Sequence, residues 1–171
     1  MAKRKPVRQR RHGNYEDHAE LCPVLSVHTQ SNFRMAPDFA LNAVHRYAFR
    51  FSQADVIAFA RVTGDHNPLH LDADFAAQTP FKRPIIHGML GASVFTKVLG
   101  TEFPGYGSVY LSQTLEFLRP MFVDTDYEAT FTVKTINPDK HTAEILGEIR
   151  DVQTGKITTR GTATLMHRDK L

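Results

Sequence analysis

The chain has no tryptophan and a single cysteine, Cys22, so no disulfide can form within it. That excludes a small secreted scaffold stapled by disulfides. No apolar run approaches the roughly 18 residues that a membrane-spanning helix needs, so no membrane association is expected. With its lone thiol the chain suits a reducing compartment, and a cytoplasmic location is the expectation. Internal repeats are also lacking. Of the 171 residues, 42% are hydrophobic and 23% charged, enough to bury one core without a metal or disulfide and too few residues for a two-domain enzyme.

Acidic residues are missing altogether from residues 1–12, which hold Lys3, Arg4, Lys5, Arg8, Arg10 and Arg11. Those six bases create the formal charge of +3; residues 13–171 carry 15 bases against 18 acids, a balance of −3. A polyanion groove in the body is therefore disfavoured, and any nucleic-acid binding belongs to the basic tail alone. Pro6 and a scarcity of apolar residues deny that tail an amphipathic targeting helix. Residues 1–44 read as a basic, weakly ordered extension, with Met35 an alternative start, and residues 45–171 as the domain.

Regular patterning begins at His45. Tyr47, Phe49 and Phe51 alternate with Arg46, Ala48 and Arg50, the period of a half-buried strand. Ser52 and Asp55 then supply an N-cap and a first-turn acid for a helix with Val56, Ile57, Phe59, Ala60 and Val62, expected to stop at Gly64. Pro68 should turn residues 64–70 into a shaped loop, followed by a short helical turn within 72–79. Residues 88–100 are apolar on nearly every side, the pattern of a buried helix, with a close-approach face of Gly88, Gly91, Ala92 and Ser93. Four strand-like runs follow, at about 108–119, 127–136, 141–151 and 156–167, separated by turn residues and suited to an antiparallel meander. The fold class is α+β: one long central helix wrapped by an antiparallel sheet, the hot-dog architecture.

The densest chemistry lies in Asp65-His66-Asn67-Pro68-Leu69-His70, a carboxylate and two imidazoles within six residues. Such groups suit acid–base work near neutral pH. Blander readings stand beside that one, with Asp65 forming an Asx turn and His70 filling a core position. Asp65, His66, His70 and His87 also form a conceivable metal set. Pro68 between the two nearer histidines spoils helical i, i+4 spacing, and no Glu follows His66 as a zincin requires, so no metal is expected.

Three stretches then carry a specific resemblance. Phe51-Ser52-x-x-Asp55, Gly64-Asp65-x-Asn67-Pro68-Leu69-His70 and Phe81-x-x-Pro84-Ile85-x-His87-Gly88-Met89-Leu90 resemble the MaoC-like hydratase family, with R-specific enoyl-CoA hydratases nearest. Ser108-Val109-Tyr110 and Phe117-x-x-Pro120 extend the likeness over about residues 45–167. The resemblance implies a hot-dog homodimer that adds water to trans-2-enoyl thioesters, giving (R)-3-hydroxyacyl thioesters, reversibly and without a cofactor. It makes Asp65 and His70 the catalytic dyad and an acyl-CoA, or less readily an acyl carrier protein thioester, the substrate. Gly88, without a Cβ at the start of the buried helix, suits an oxyanion donor, with close helix packing as its other explanation. Asn67 would support the dyad loop, and Thr96 stands where the family often has a serine that supports the aspartate. Two other classes remain: a hot-dog thioesterase, which the absence of a carboxylate between Met89 and Gly100 disfavours, and a non-catalytic scaffold with a nucleic-acid-binding tail.

Overall fold

Alternating burial in a strand and a single apolar helix imply a curved sheet folded around that helix, and this is what forms. The computed structural model describes residues 39–171. Strand β1 (Val44–Phe49) alternates outward and inward residue by residue, so His45, Tyr47 and Phe49 turn towards the core. Helix α1 (Gln53–Thr63) starts in a full capping box: Ser52 Oγ accepts from Asp55 N, and Asp55 Oδ2 accepts from Ser52 N at 2.8 Å. It ends at Gly64, whose φ is 77°.

Two short helices, α2 (Pro68–Leu71) and α3 (Ala73–Ala77), lead to α4 (Gly88–Thr101), followed by β2 (Val109–Gln113), β3 (Glu116–Phe117), β4 (Tyr127–Asn137), β5 (Thr142–Asp151) and β6 (Ile157–Met166). Every pairing is antiparallel, in the order β1-β4-β5-β6-β2, with β3 also on β6. The expected meander is correct for the last three strands only. The first run, 108–119, is interrupted at residues 114–115 and forms β2, which carries a bulge between Tyr110 and Ser112, and β3, and it pairs with the last strand instead of the next one. Pro68 also does more than stop a helix, since as the first residue of α2 its fixed φ and missing N–H fit a helix start.

The core lies between α4 and the inner face of the sheet. Rows such as Phe131, Gly147 and Gly161, or Val133, Ile145 and Ala163, run across β4, β5 and β6 and are buried throughout. Phe95 on α4 meets Phe131 edge-on at 5.4 Å. A Cβ on Gly147 would come within 3.0 Å of the Phe95 ring, so the glycine lets the helix settle into the sheet. Burying an aromatic ring of this kind contributes about 1.5–3 kcal/mol.

The described fold starts before the expected boundary: the Phe39 ring lies 4.8 Å from that of Phe103. The basic segment proposed as an extension lies outside the described residues up to residue 38. No helix among the described residues is long and apolar enough to cross a membrane.

Candidate active site

The end of α1 delivers the chemistry. Because Gly64 turns the chain sharply, Asp65 opens a loop that the sequence then pins at each step. Asp65 Oδ1 accepts from Asn67 N at 3.3 Å, and Asn67 Oδ1 accepts from Leu69 N at 3.0 Å, capping α2. The bland reading of Asp65 as the former of an Asx turn is thus realised alongside any chemical role. Helix α2 carries His70 inward, and Gln53 at the start of α1 donates to the His70 carbonyl at 3.2 Å.

His70 is 9% exposed, and its Nδ1–H donates to the Ile85 carbonyl at 2.8 Å, since a carbonyl can only accept. That bond fixes the ring and commits one nitrogen, leaving Nε2 as the other face of the imidazole. Asp65 is different: its side chain is 52% exposed, open to an incoming molecule.

Two buried imidazoles meet here. His87 is 2% exposed, and its ring lies 3.9 Å from that of His70 and 5.0 Å from that of Phe59. Its Nε2 stands 3.0 Å from the Asp65 carbonyl oxygen and 3.9 Å from the Asp65 carboxylate. Asp65, His70 and His87 offer side-chain donor atoms within 4.8 Å of one another, which is the set a divalent ion would use; His66 is not among them. Each of the two rings has already given one nitrogen to a backbone carbonyl, which narrows what they can offer a metal.

Helix α4 opens beside this trio. Its N-cap residue is His87, whose side chain makes no capping bond, so the first-turn N–H groups stay unclaimed by a cap. Gly88 leads the helix, and a Cβ there would lie 3.0 Å from the Phe117 ring. N–H groups, helix dipole and missing side chain together suit a group that develops negative charge.

These residues surround a pocket of about 640 Å³, walled by Phe59, Phe81, Met89, Phe117, Leu118 and Met121 around Asp65, His70, His87 and Gly88. An apolar chain with one polar end fits such a lining. Arg119 also reaches the pocket, and its guanidinium donates to the Ile157 carbonyl at 2.6 Å.

The expected site residues are therefore brought together with one exception. Asp65, His70 and Gly88 share the pocket, and Asn67 shapes its loop. Thr96 does not join them within the chain. It is exposed on α4, eight residues from Gly88, which is about 12 Å along the helix axis. The pocket walls and the orientation of His87 went unforeseen. The His87-Gly88 pair before an apolar run was the available signal, because it places a histidine where a Ser, Thr or Asp cap is usual.

A family model described as a MaoC like domain matches residues 31–157. The (R)-specific enoyl-CoA hydratase of Aeromonas caviae is 45% identical over 120 residues, 70% of this chain and 89% of that protein. The (R)-specific enoyl-CoA hydratase of Rhodospirillum rubrum is 37% identical over 115 residues, 67% of this chain and 78% of the other. A solved structure of an (R)-hydratase from A. caviae involved in PHA biosynthesis superposes with a TM-score of 0.73 at 42% identity, covering 77% of this chain and 99% of that one.

Proposed function

The chain belongs to the MaoC-like domain family, and from that premise we propose that it is an (R)-specific enoyl thioester hydratase, a hydro-lyase that also runs in reverse as a 3-hydroxyacyl thioester dehydratase. The observation that carries the reading is the convergence of Asp65 and His70 on an apolar pocket at the uncapped start of α4. Acyl-CoA is the preferred carrier, since the two hydratase relatives described above are named for enoyl-CoA.

Water is a poor nucleophile, so adding it to carbon 3 needs a base, while carbon 2 takes a proton and the thioester oxygen gains negative charge. The exposed Asp65 carboxylate and the His70 Nε2 hold the water between them and pass its proton, help worth about 10² to 10⁴ in rate. His70 is kept in register by its bond to Ile85. The Gly88 N–H and the dipole of α4 receive the thioester oxygen. Phe81, Phe117 and Met121 hold the acyl chain away from water. Asn67 supports the loop.

The reading includes a homodimer in the cytoplasm. Met89 and Thr96 lie seven residues apart on one exposed stripe of α4, and β2 exposes Val109 and Leu111. Thr96 then faces the subunit contact, and its support of Asp65 would come through that contact. The test is purified protein with crotonyl-CoA and longer enoyl-CoAs, following loss of the conjugated double bond and product chirality. An (R)-3-hydroxyacyl-CoA with the thioester intact is expected; stoichiometric free thiol without a hydroxy product would make the protein a thioesterase instead.

A further inference from the structure

One buried polar group near the pocket has no part in the chemistry described above. His87 is buried to within 2% of its surface, and its Nδ1 has no hydrogen-bond partner among the described residues. Leaving a nitrogen in that state is unfavourable. If the position called only for a flat apolar body against Phe59 and His70, a phenylalanine would fill it without that penalty.

The other nitrogen supplies the reason. Nε2 lies 3.0 Å from the Asp65 carbonyl, which can only accept, so Nε2 carries the hydrogen. The ring is thus a strut with one end on the Asp65 backbone. Its other end is the N-cap of α4, the residue joined directly to Gly88. Because the side chain is spent on this strut, it does not cap the helix, and the first-turn N–H groups remain available. A Ser or Asp at 87 would turn back onto those groups and would leave the Asp65 loop untied.

We infer that His87 is a positioning residue for the hydration step, holding the Asp65 carboxylate and the Gly88 N–H at one spacing by tying the Asp65 carbonyl to the start of α4. The inference rests on the hydratase reading. It concerns alignment in the transition state, so it touches turnover more than binding: a displacement of about 1 Å in such a site costs roughly 10² in rate.

The amides of glutamine and asparagine test the geometry, because a glutamine amide N–H sits where Nε2 stands and an asparagine amide where Nδ1 stands. In full-length protein assayed with crotonyl-CoA, His87→Gln is expected to keep kcat within about 10-fold of wild type, while His87→Asn loses roughly 10² with KM nearly unchanged. His87→Phe should lose as much as His87→Asn yet melt close to wild type, since the bond it gives up to Asp65 is offset by burying no unpartnered nitrogen. Wild-type turnover in a folded His87→Asn or His87→Phe protein would overturn the inference. So would a glutamine variant no better than the asparagine one, or a loss confined to KM. Should His87→Phe fail to fold, the glutamine and asparagine pair still decides. An inactive wild type would sink the hydratase reading and this inference with it, whereas active wild type beside an undamaged His87→Asn variant would sink this inference alone.

Discussion

The two ends of α4 share one helix and one core but are finished in opposite ways. At the N-terminal end the capping position holds a histidine that does not cap, and the neighbouring carboxylate is half exposed. At the C-terminal end everything is closed. Glu102 N and Phe103 N both donate to the Val98 carbonyl, and Thr101 Oγ1 donates to the Lys97 carbonyl. Glu102 pairs with Lys97 and, at 3.0 Å, with His45, while Phe103 is buried between Phe39 and the stacked ring of His45. Burial alone would raise the Glu102 carboxyl, but the Lys97 ammonium and His45 beside it more than offset this and hold it below the ordinary carboxylate range. Polar groups at one end are left free to meet a ligand; those at the other are used up in holding the helix.

Substitutions at the open end should therefore change rate without stability, and those at the closed end stability without rate. The largest effect is expected for Asp65→Asn and His70→Asn, each lowering hydratase turnover by roughly 10² to 10⁴ with melting temperature nearly unchanged. Asparagine at 70 is chosen because its amide can keep the bond to Ile85 while the Nε2 function is lost. Near wild-type rates in either folded variant would remove the dyad from the mechanism.

Phe103→Ala should cost about 3–5 kcal/mol in chemical denaturation, the usual range for a buried phenylalanine, with activity per folded molecule retained. A matching drop in kcat would show that the closed end also governs the chemistry.

Smaller still is Glu102→Gln, expected to cost about 0.5 kcal/mol, since its ion pairs are partly exposed. The sign with pH follows from the lowered carboxyl. The stabilisation is present above the unfolded value near 4.5 and fades as pH falls through the lower folded value, so wild type and variant should converge in strongly acidic solution. Converging melting curves on alkaline titration instead would contradict it.

The least effect belongs to removal of residues 1–34, which leaves Phe39 in place against Phe103. Turnover and melting temperature should stay nearly unchanged, while weak, salt-sensitive affinity for DNA should disappear with the six bases. A loss of folding on truncation would make that segment structural.

Local signals were legible in the sequence and long-range ones were not. Ser52 and Asp55 announce the start of α1 because a capping box closes within three residues. The alternation in β1 and the apolar run of α4 identify their elements for the same reason. Asp65, His70 and Gly88 were legible as a set because the loop from Gly64 and the start of α4 carry motif residues at fixed separations. The placement of β2 beside β6 depends on pairings some fifty residues apart, which no local pattern encodes. Thr96 shows the same limit: helical phase turns it outward, and its position relative to Asp65 depends on what packs against α4. The strut formed by His87 needs two distant segments to be in place, so the sequence shows the histidine but not its direction.

The edges of the sheet are also unequal. On β1 and the residue after it, Arg46 pairs with Glu128 and Arg50 with Asp126, each at 2.6 Å, so fixed charge lines that border. Strand β2, Val-Tyr-Leu-Ser-Gln, has no charge at all. Charged side chains on an outer strand discourage a further strand from adding to it, whereas an apolar border invites one. In the proposed homodimer an uncharged β2 border would meet its identical copy, and the charged β1 border would leave no second edge on which a longer chain of sheets could grow.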